Sequence, residues 1–442
     1  MGQVSNATVL NLFKKVYGDI SNLVPEGYLV QETLKYSPKQ KIGESYNEAV
    51  VLTNENGWTL GGSAGDVFDI NPAIAGTVQQ ATVPSYVSVL SSVVPWSVLS
   101  RSAGGGEVAF IDGTKHIVKN NLNSHMALVE AMALYGQASY GLGTVSYATA
   151  TYRGVSLTTG TGTVGGVAFT NGINAASKAI MFQPGQFAAG LWVGKEGAAI
   201  KQVLISSGAV VGEGKLVSVD SENGIIYVDF TPTAASAEYD HKLVYDGMDA
   251  AKEMVGMNKI MSNTGSLFGI SAATSGGYSL WKASTTALSQ VLLTFARIQS
   301  AAANASNRGG LDQDVLVLVN PRSFANFVNQ EAARRQYDSS YSKSEFDNGA
   351  EAIKFYYSGG SLTVKGHRYV KEGEAYGMAV DSWVRSGSSQ ISLKVPGLDK
   401  EIIFPLENSS AHAFRSFSDQ YVFCRAPARN FFISGINDEA SS

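Results

Sequence analysis

The chain has a single cysteine, Cys424, in 442 residues, with 11 prolines and five histidines. One thiol excludes an intrachain disulfide framework and any zinc site built from several cysteines. Charge is scarce as well: Lys, Arg, Asp and Glu make up 16% of the residues, against about 25% in an ordinary soluble protein. With 37 acidic and 33 basic residues the net charge is −4, which argues against a dedicated nucleic-acid clamp. No apolar run approaches the roughly 18 residues of a membrane-spanning helix. The opening Met1-Gly2-Gln3-Val4-Ser5-Asn6 lacks the basic-then-apolar pattern of a secretory signal, so cytosolic synthesis is expected. What is there is 44% hydrophobic residues and 47 glycines, enough apolar material for the cores of about two to four domains. Lys and Glu are depleted at buried interface cores, so a chain this poor in charge suits burial against partners.

Periodicity divides the chain. Val9, Leu12, Phe13 and Val16 predict a short amphipathic helix over residues 6–17, capped by Asn6 or Thr8. The polar residues 31–41 read as an extended arm. Asn54-Glu55-Asn56-Gly57, between Ala49–Thr53 and Trp58–Leu60, predicts a tight hairpin, because Asn-Gly supplies the positive φ of such a turn. Residues 42–83 as a whole read as a projecting loop with β character. Leu122, Met126, Val129 and Met132 share one face of a helix expected over Leu122–Tyr135, with Gly136 in the C′ position. From Thr144 to Tyr245 glycine and β-branched residues take over, and Lys215–Asp220 with Ile225–Phe230 flank Ser221-Glu222-Asn223-Gly224 as a hairpin. This stretch predicts a compact β-sandwich or barrel. Beyond it, helices are expected at Gly247–Met254 and from Ser284 onward, the latter with Leu288, Val291, Leu292, Phe295 and Ile298 on one face. A buried strand (Asp314–Val319), a turn (Asn320-Pro321), a helix (Arg322–Gln336) and mostly strands from Lys354 to Ile436 complete an α+β chain.

Several short motifs invite chemistry and none sustains it. Gly61-Gly62-Ser63-Ala64-Gly65 matches a nucleophile elbow, but that motif needs a helix directly after the serine, and Asp66-Val67-Phe68-Asp69-Ile70-Asn71-Pro72 is no helix start. Gly160-Thr161-Gly162-Thr163-Val164-Gly165 has dinucleotide-fingerprint spacing without the helix N-terminus that would meet the phosphates. Gly190–Lys195 and Gly208–Lys215 approach a phosphate loop, yet neither lysine precedes Ser or Thr. His116, His125, His241, His367 and His412 stand alone, with no metal-ligand spacing. His125 reads as a polar contact or an exposed helix residue, and Cys424 as an inert buried thiol. Lys14-Lys15 and Arg334-Arg335 read as solvated helix faces. No catalytic, cofactor-binding or metal residue is assigned, and the chain is not expected to be an enzyme.

One region supports a resemblance. Met126-Ala127-Leu128-Val129-Glu130-Ala131-Met132-Ala133-Leu134-Tyr135-Gly136-Gln137, followed by Gly141-Leu142-Gly143, resembles the spine-helix segment of tailed-bacteriophage major capsid proteins of the Hong Kong 97-like fold. Asn258–Ile270 and Tyr421–Phe432 resemble further capsid segments, and the element order agrees over about residues 1–142 and 246–436. The resemblance implies an N-terminal arm (1–41), an E-loop (42–83), a peripheral domain with the spine helix (84–143), a mainly axial domain (246–385) and C-terminal strands returning to the core (386–442). Residues 144–245 would then be a β-rich insertion domain. Function and partners follow as implications: pentamers and hexamers of this chain in an icosahedral virion capsid, assembled in the bacterial host cytoplasm around double-stranded DNA. A separate scaffolding protein, a portal protein at one vertex and a decoration protein are the implied helpers. Some members join an E-loop lysine to a neighbour's asparagine, but no lysine lies between Lys41 and Lys115, so a shell without isopeptide bonds is expected. The rival readings are an encapsulin-like nanocompartment shell, a β-rich phage tail or adhesin protein, and an enzyme using Ser63.

Overall fold

A computed structural model describes residues 27–38, 45–61, 68–96, 107–147, 151–152, 155–156, 161–250, 252–273, 275–335, 352–394, 403–406 and 410–437. The helix expected over residues 6–17, Lys14-Lys15 and Ser63 lie outside them. The chain divides into two units, each assembled from separated segments: Met1–Ile42, Ser85–Met257 and Arg385–Val422 form unit 1, and Gly43–Pro84, Asn258–Val384 and Phe423–Ser442 form unit 2.

In unit 1, a short helix, α1 (Leu29–Thr33), reaches into the start of residues 31–41, which read as an extended arm. The principal helix, α2, runs from Glu107 to Tyr135, fifteen residues longer at its start than the periodicity of Leu122–Tyr135 suggests. The chain leaves α2 through Gly136, where a Cβ would overlap the Met254 carbonyl oxygen, and Gln137, at φ 54°. Against α2 packs the strand Tyr86–Pro95, paired antiparallel with Ala411–Cys424 from Tyr86↔Gln420 to Pro95↔Ala411.

The strand-rich residues 143–245 form one antiparallel path of nine strands. Gly143–Thr144, His241–Tyr245, Ala199–Leu204, Val210–Asp220, Ile225–Val228 and Ala179–Met181 follow one another, and the bridge Val145↔Phe182 returns the last to the first. Of the two architectures expected here, the structure takes the barrel. Buried in it is the aromatic chain Phe187, Phe182, Trp192 and Tyr245, with successive ring centroids 5.4, 5.3 and 5.9 Å apart. Trp192 sits on a short helix, α3 (Ala189–Trp192). The expected hairpin at 215–230 is present, with Asp220 opposite Ile225 and Gly224 at φ 62°. The remaining strands, Ile173–Asn174, Val167–Thr170 and Thr161–Val164, extend the path as a meander over Val164, Phe169, Ala179, Met181 and Ile225.

Unit 2 has a mixed six-stranded sheet in the order Ser284–Val291, Phe431–Ile436, Glu374–Ala379, Val315–Val319, Gly360–Gly366, Ile353–Tyr357. The pairs 284–291 with 431–436 and 315–319 with 360–366 are parallel. A short helix, α4 (Met257–Met261), leads into the unit. Helices α5 (Phe295–Gly309) and α6 (Pro321–Arg335) share one apolar core with the sheet, α5 presenting Ile298, Ala301, Ala302 and Ala305 at helical spacing. Asn320 caps α6 through the Arg322 N–H, 3.0 Å away, and Pro321 takes the first helical position, as Asn-Pro predicts.

Three expectations fail for identifiable reasons. The helix expected from Ser284 is a strand up to Val291, and α5 begins only at Phe295. Pairing with Phe431–Ile436 shifts register between Ala287 and Val291, with Gln290 at φ 52°. That bulge brings Leu288 and Val291 inward together, and an inward pair three residues apart imitates a helix. Among the described residues of 247–254 there is a single 3-10 turn, Met248–Ala250, and no longer helix. The tight hairpin across Asn54–Gly57 is also absent: Ser45–Val51 pairs with Val78–Pro84 instead, from Ser45↔Pro84 to Val51↔Val78. Residues beyond this ladder remain side by side, with Leu52 N–H bonding Thr77 O at 2.8 Å and Asn56 N–H bonding Ile74 O at 2.9 Å.

Candidate interaction surface

The hairpin of residues 45–84 combines two properties that do not belong on a free surface. Trp58 is 75% exposed, Leu60 91% and Ile70 82%, with Val51, Phe68, Ile74 and Val78 exposed beside them. Large apolar side chains gathered in this way mark an interaction site. The second property is charge: Glu48, Glu55, Asp66 and Asp69 fall in the segment, while no Lys or Arg occurs between Lys41 and Arg101. A partner surface would therefore be apolar with a basic margin.

The outer limbs are ordered by their own polar groups. Asn71 donates its backbone N–H to Thr59 Oγ1 at 2.8 Å and its side-chain amide to Trp58 O at 2.7 Å. At the base, within unit 2, Arg425 Nε meets Glu48 Oε1 at 3.0 Å, and the Tyr46 hydroxyl donates to Glu48 Oε2 at 2.6 Å. The Tyr46 ring stands edge-on to Phe423, centroids 6.0 Å apart, and Gln79 Nε2 donates to the Tyr278 hydroxyl at 3.1 Å. Hydrogen bonding to Tyr46 and Glu48 holds the Arg425 guanidinium above its ordinary range. The ribbon is thus clamped at its root and apolar along its length.

A second apolar face lies in unit 1, on the side of strand Tyr86–Pro95 turned from α2. Val87 and Val89 are exposed there, and Val89 stands opposite Phe417. The inward side of the same strand is polar. His125, fully buried on α2, lies between two hydroxyls, with Nε2 2.8 Å from Ser88 Oγ and Nδ1 2.8 Å from Ser416 Oγ. Asn121 Nδ2 donates to Ser92 Oγ at 2.8 Å. Burial pushes the His125 imidazole down to about 4, so it is neutral at pH 7. The site is closed to solvent, and its geometry fastens helix to sheet.

The other singled-out residues remain apart from one another. Gly165 and Gly166 make the turn of the hairpin Thr161–Val164/Val167–Thr170, where a phosphate-binding helix would be needed. Lys195 lies over the Tyr245 ring at 5.1 Å, and Lys215 sits on the strand Val210–Asp220. His241 bonds Gln202 Nε2 through Nδ1 at 2.9 Å inside the barrel, and His367 is buried in unit 2. Among the described residues no group of three His, Cys, Asp or Glu side chains could hold a metal ion. Burial pushes the Cys424 thiol up to about 12, consistent with an inert core residue. Sequence reading missed the exposed apolar side chains of this segment as a set, because they follow neither the helical nor the strand period. A count of large apolar residues in a segment without basic ones would have found it.

No family model and no curated protein matches the chain. Solved structures do. A chain of the cyanophage A-1(L) capsid asymmetric unit matches at 11% identity over 98% of this chain and 99% of that one, with TM-score 0.53. The capsid of the native GTA particle matches at 7% identity over 98% and 97%, with TM-score 0.48. A structure from Mycobacterium phage Bobi matches at 8% identity over 98% and 99%, with TM-score 0.40. The first of these likenesses gives the chain, over nearly its full length, the fold of a phage capsid chain.

Proposed function

We propose that the chain is the major capsid protein of a tailed phage, forming the pentamers and hexamers of an icosahedral shell around double-stranded DNA. The observation that carries this reading is the hairpin of residues 45–84, whose Trp58, Leu60 and Ile70 stay largely exposed among the described residues. In a protein with a capsid-chain fold, a clamped apolar ribbon of this kind is suited to lie across a neighbouring copy. Contact between unlike surfaces of identical chains generates closed rings, as a shell requires. Within the Hong Kong 97-like scheme the ribbon is the E-loop, α2 the spine helix, unit 2 the main contributor to the axial domain, and residues 144–245 an insertion domain.

Negative-stain microscopy of the purified protein tests the reading: closed shells are expected, and monodisperse trimers would overturn it. The double variant Trp58→Ser/Leu60→Ser is expected to keep its fold and lose the shells. The shell is held without isopeptide bonds, since the E-loop carries no lysine. Denaturing gels of particles should show one band near 46.7 kDa, and a ladder of multimers would refute this point. The helpers proposed are a separate scaffolding protein, a portal at one vertex and a decoration protein. Its role is structural, not enzymatic, in the virion capsid, after assembly in the host cytoplasm.

A further inference from the structure

Residues 28–37, themselves part of unit 1, are fastened there by groups far away in sequence. From one side comes Glu130 of α2, fully buried, whose carboxylate accepts the Val30 N–H at 2.8 Å and the Gln31 N–H at 3.2 Å. Gln31 Nε2 reaches Met126 O at 2.7 Å, and the Tyr28 hydroxyl reaches Asn123 O at 2.9 Å. From the other side comes Arg385, also buried. Its guanidinium donates to Gln31 O, Leu34 O and Gln31 Oε1, each at 3.4 Å, and to Gln420 Oε1 at 2.8 Å. Its carbonyl accepts the Ser37 N–H at 2.9 Å, while Ser386 Oγ donates to Ser37 O at 2.6 Å. Val30 and Leu34 are buried between these two supports.

The geometry points to residues 28–37 acting as a detachable strap, seated by Glu130 on α2 and Arg385 on the strand Trp383–Ser392, that opens as one piece ahead of the rest of unit 1. Each charge is buried, and each depends on the strap's backbone for part of its hydrogen bonding. A half-seated strap would strip one buried charge of donors or acceptors, an unfavourable state. The strap is therefore either on or off. Seated, it also ties α2 to the strand Trp383–Ser392. The seat is complete within one chain, so this inference stands whatever the chain assembles into.

Hydrogen exchange on the full-length chain tests it, following the amides of Val30, Gln31 and Ser37, with the barrel strands Ala199–Leu204 and His241–Tyr245 as the internal reference. Glu130→Gln keeps the shape but removes the charge, and exchange at the strap amides is expected to rise about ten- to a hundredfold with the barrel unchanged. Gln31→Ala leaves both buried charges in place and should raise strap exchange about tenfold, so it decides the question even if Glu130→Gln fails to fold. Trypsin gives a second reading at Lys35, which is exposed on the strap and should be cut faster in both variants. Unchanged strap protection in Gln31→Ala overturns the proposal. So does a rise shared equally by the barrel, which would make the strap part of one global unit.

Discussion

The barrel of residues 143–245 and the hairpin of residues 45–84 are both built from strands and glycine, yet one buries its large side chains and the other displays them. In the barrel, Phe182 and Trp192 are fully buried; in the hairpin, Trp58 and Leu60 are 75% and 91% exposed. Strand and glycine content do not separate the two. Closure does: the bridge Val145↔Phe182 lets the barrel strands cover each other's inner faces, whereas the two-stranded ribbon, beyond its base where Leu52, Ala81 and Val83 are buried, has no second layer to cover either side. Glycine serves both, but differently. Gly172, at φ 77° with the Ser146 carbonyl oxygen where a Cβ would be, permits a close approach inside the barrel. In the hairpin the close approaches, such as Gly57 beside Ala73, only hold two limbs together. The large apolar side chains of the barrel are used within the chain, and those of the outer hairpin stay exposed.

The sharpest way to break this comparison is to truncate an indole in each region. Trp192→Ala should cost about 3–5 kcal/mol of unfolding free energy, the usual range for emptying a buried aromatic site. Trp58→Ala should stay within about 0.5 kcal/mol of the parent, as exposed substitutions do. Chemical denaturation of the unassembled chain measures both, and equal losses would mean the hairpin has a core of its own. Acid gives the next largest effect, at the buried polar contact of α2. His125 titrates near 4 when folded and near 6.5 when unfolded. Between those values the unfolded chain binds a proton that the folded chain refuses, so stability falls as pH drops through that window. The penalty is absent above 6.5, complete below 4, and amounts to about 3 kcal/mol. Denaturation midpoints of the parent and of His125→Asn, followed from pH 7 to pH 4, should converge if this residue causes the loss. Parallel curves would place the acid sensitivity elsewhere.

Much of this division was readable beforehand, and the misreadings share a cause. The hairpin Val210–Asp220/Ile225–Val228, the strand Val315–Val319 and the Asn320-Pro321 helix start were legible because local rules and tertiary packing agree there. The inner side of strand Tyr86–Pro95 was not legible, since its Ser88 and Ser92 are polar and bury only by meeting His125 and Asn121 on α2. Nothing within ten residues of Ser88 announces that partner. At Leu288 and Val291 a bulge imitated a helix, and at Asn54–Gly57 a good turn signal was overruled by the ladder from Ser45 to Pro84. The apolar surface of the hairpin was hidden for the opposite reason. It follows no internal period because no internal layer selects one.

If the hairpin lacks an interior, its direction must be set at its root, and the smallest effect predicted is there. Arg425 and Glu48 are 42% and 24% exposed, so their ion pair is worth about 0.2–1 kcal/mol at most. A double-mutant cycle of Arg425→Ala and Glu48→Ala on the unassembled chain should return a coupling of that size. Tyr46→Phe, which removes the hydroxyl donated to Glu48 while keeping the ring against Phe423, should cost no more. The energy is small because the clamp is partly exposed, but its place at the base makes the meeting of Glu48, Tyr46 and Arg425 the expected pivot of the ribbon. Hydrogen exchange at Thr77 and Asn56, whose amides join the two limbs, should be unaffected by Arg425→Ala, because the limbs hold each other. Shell yield should fall, since the same ribbon would then point less consistently toward its neighbour. A coupling of zero with normal shells would move the pivot to the Gln79–Tyr278 contact and to the Thr82 N–H on Phe268 O.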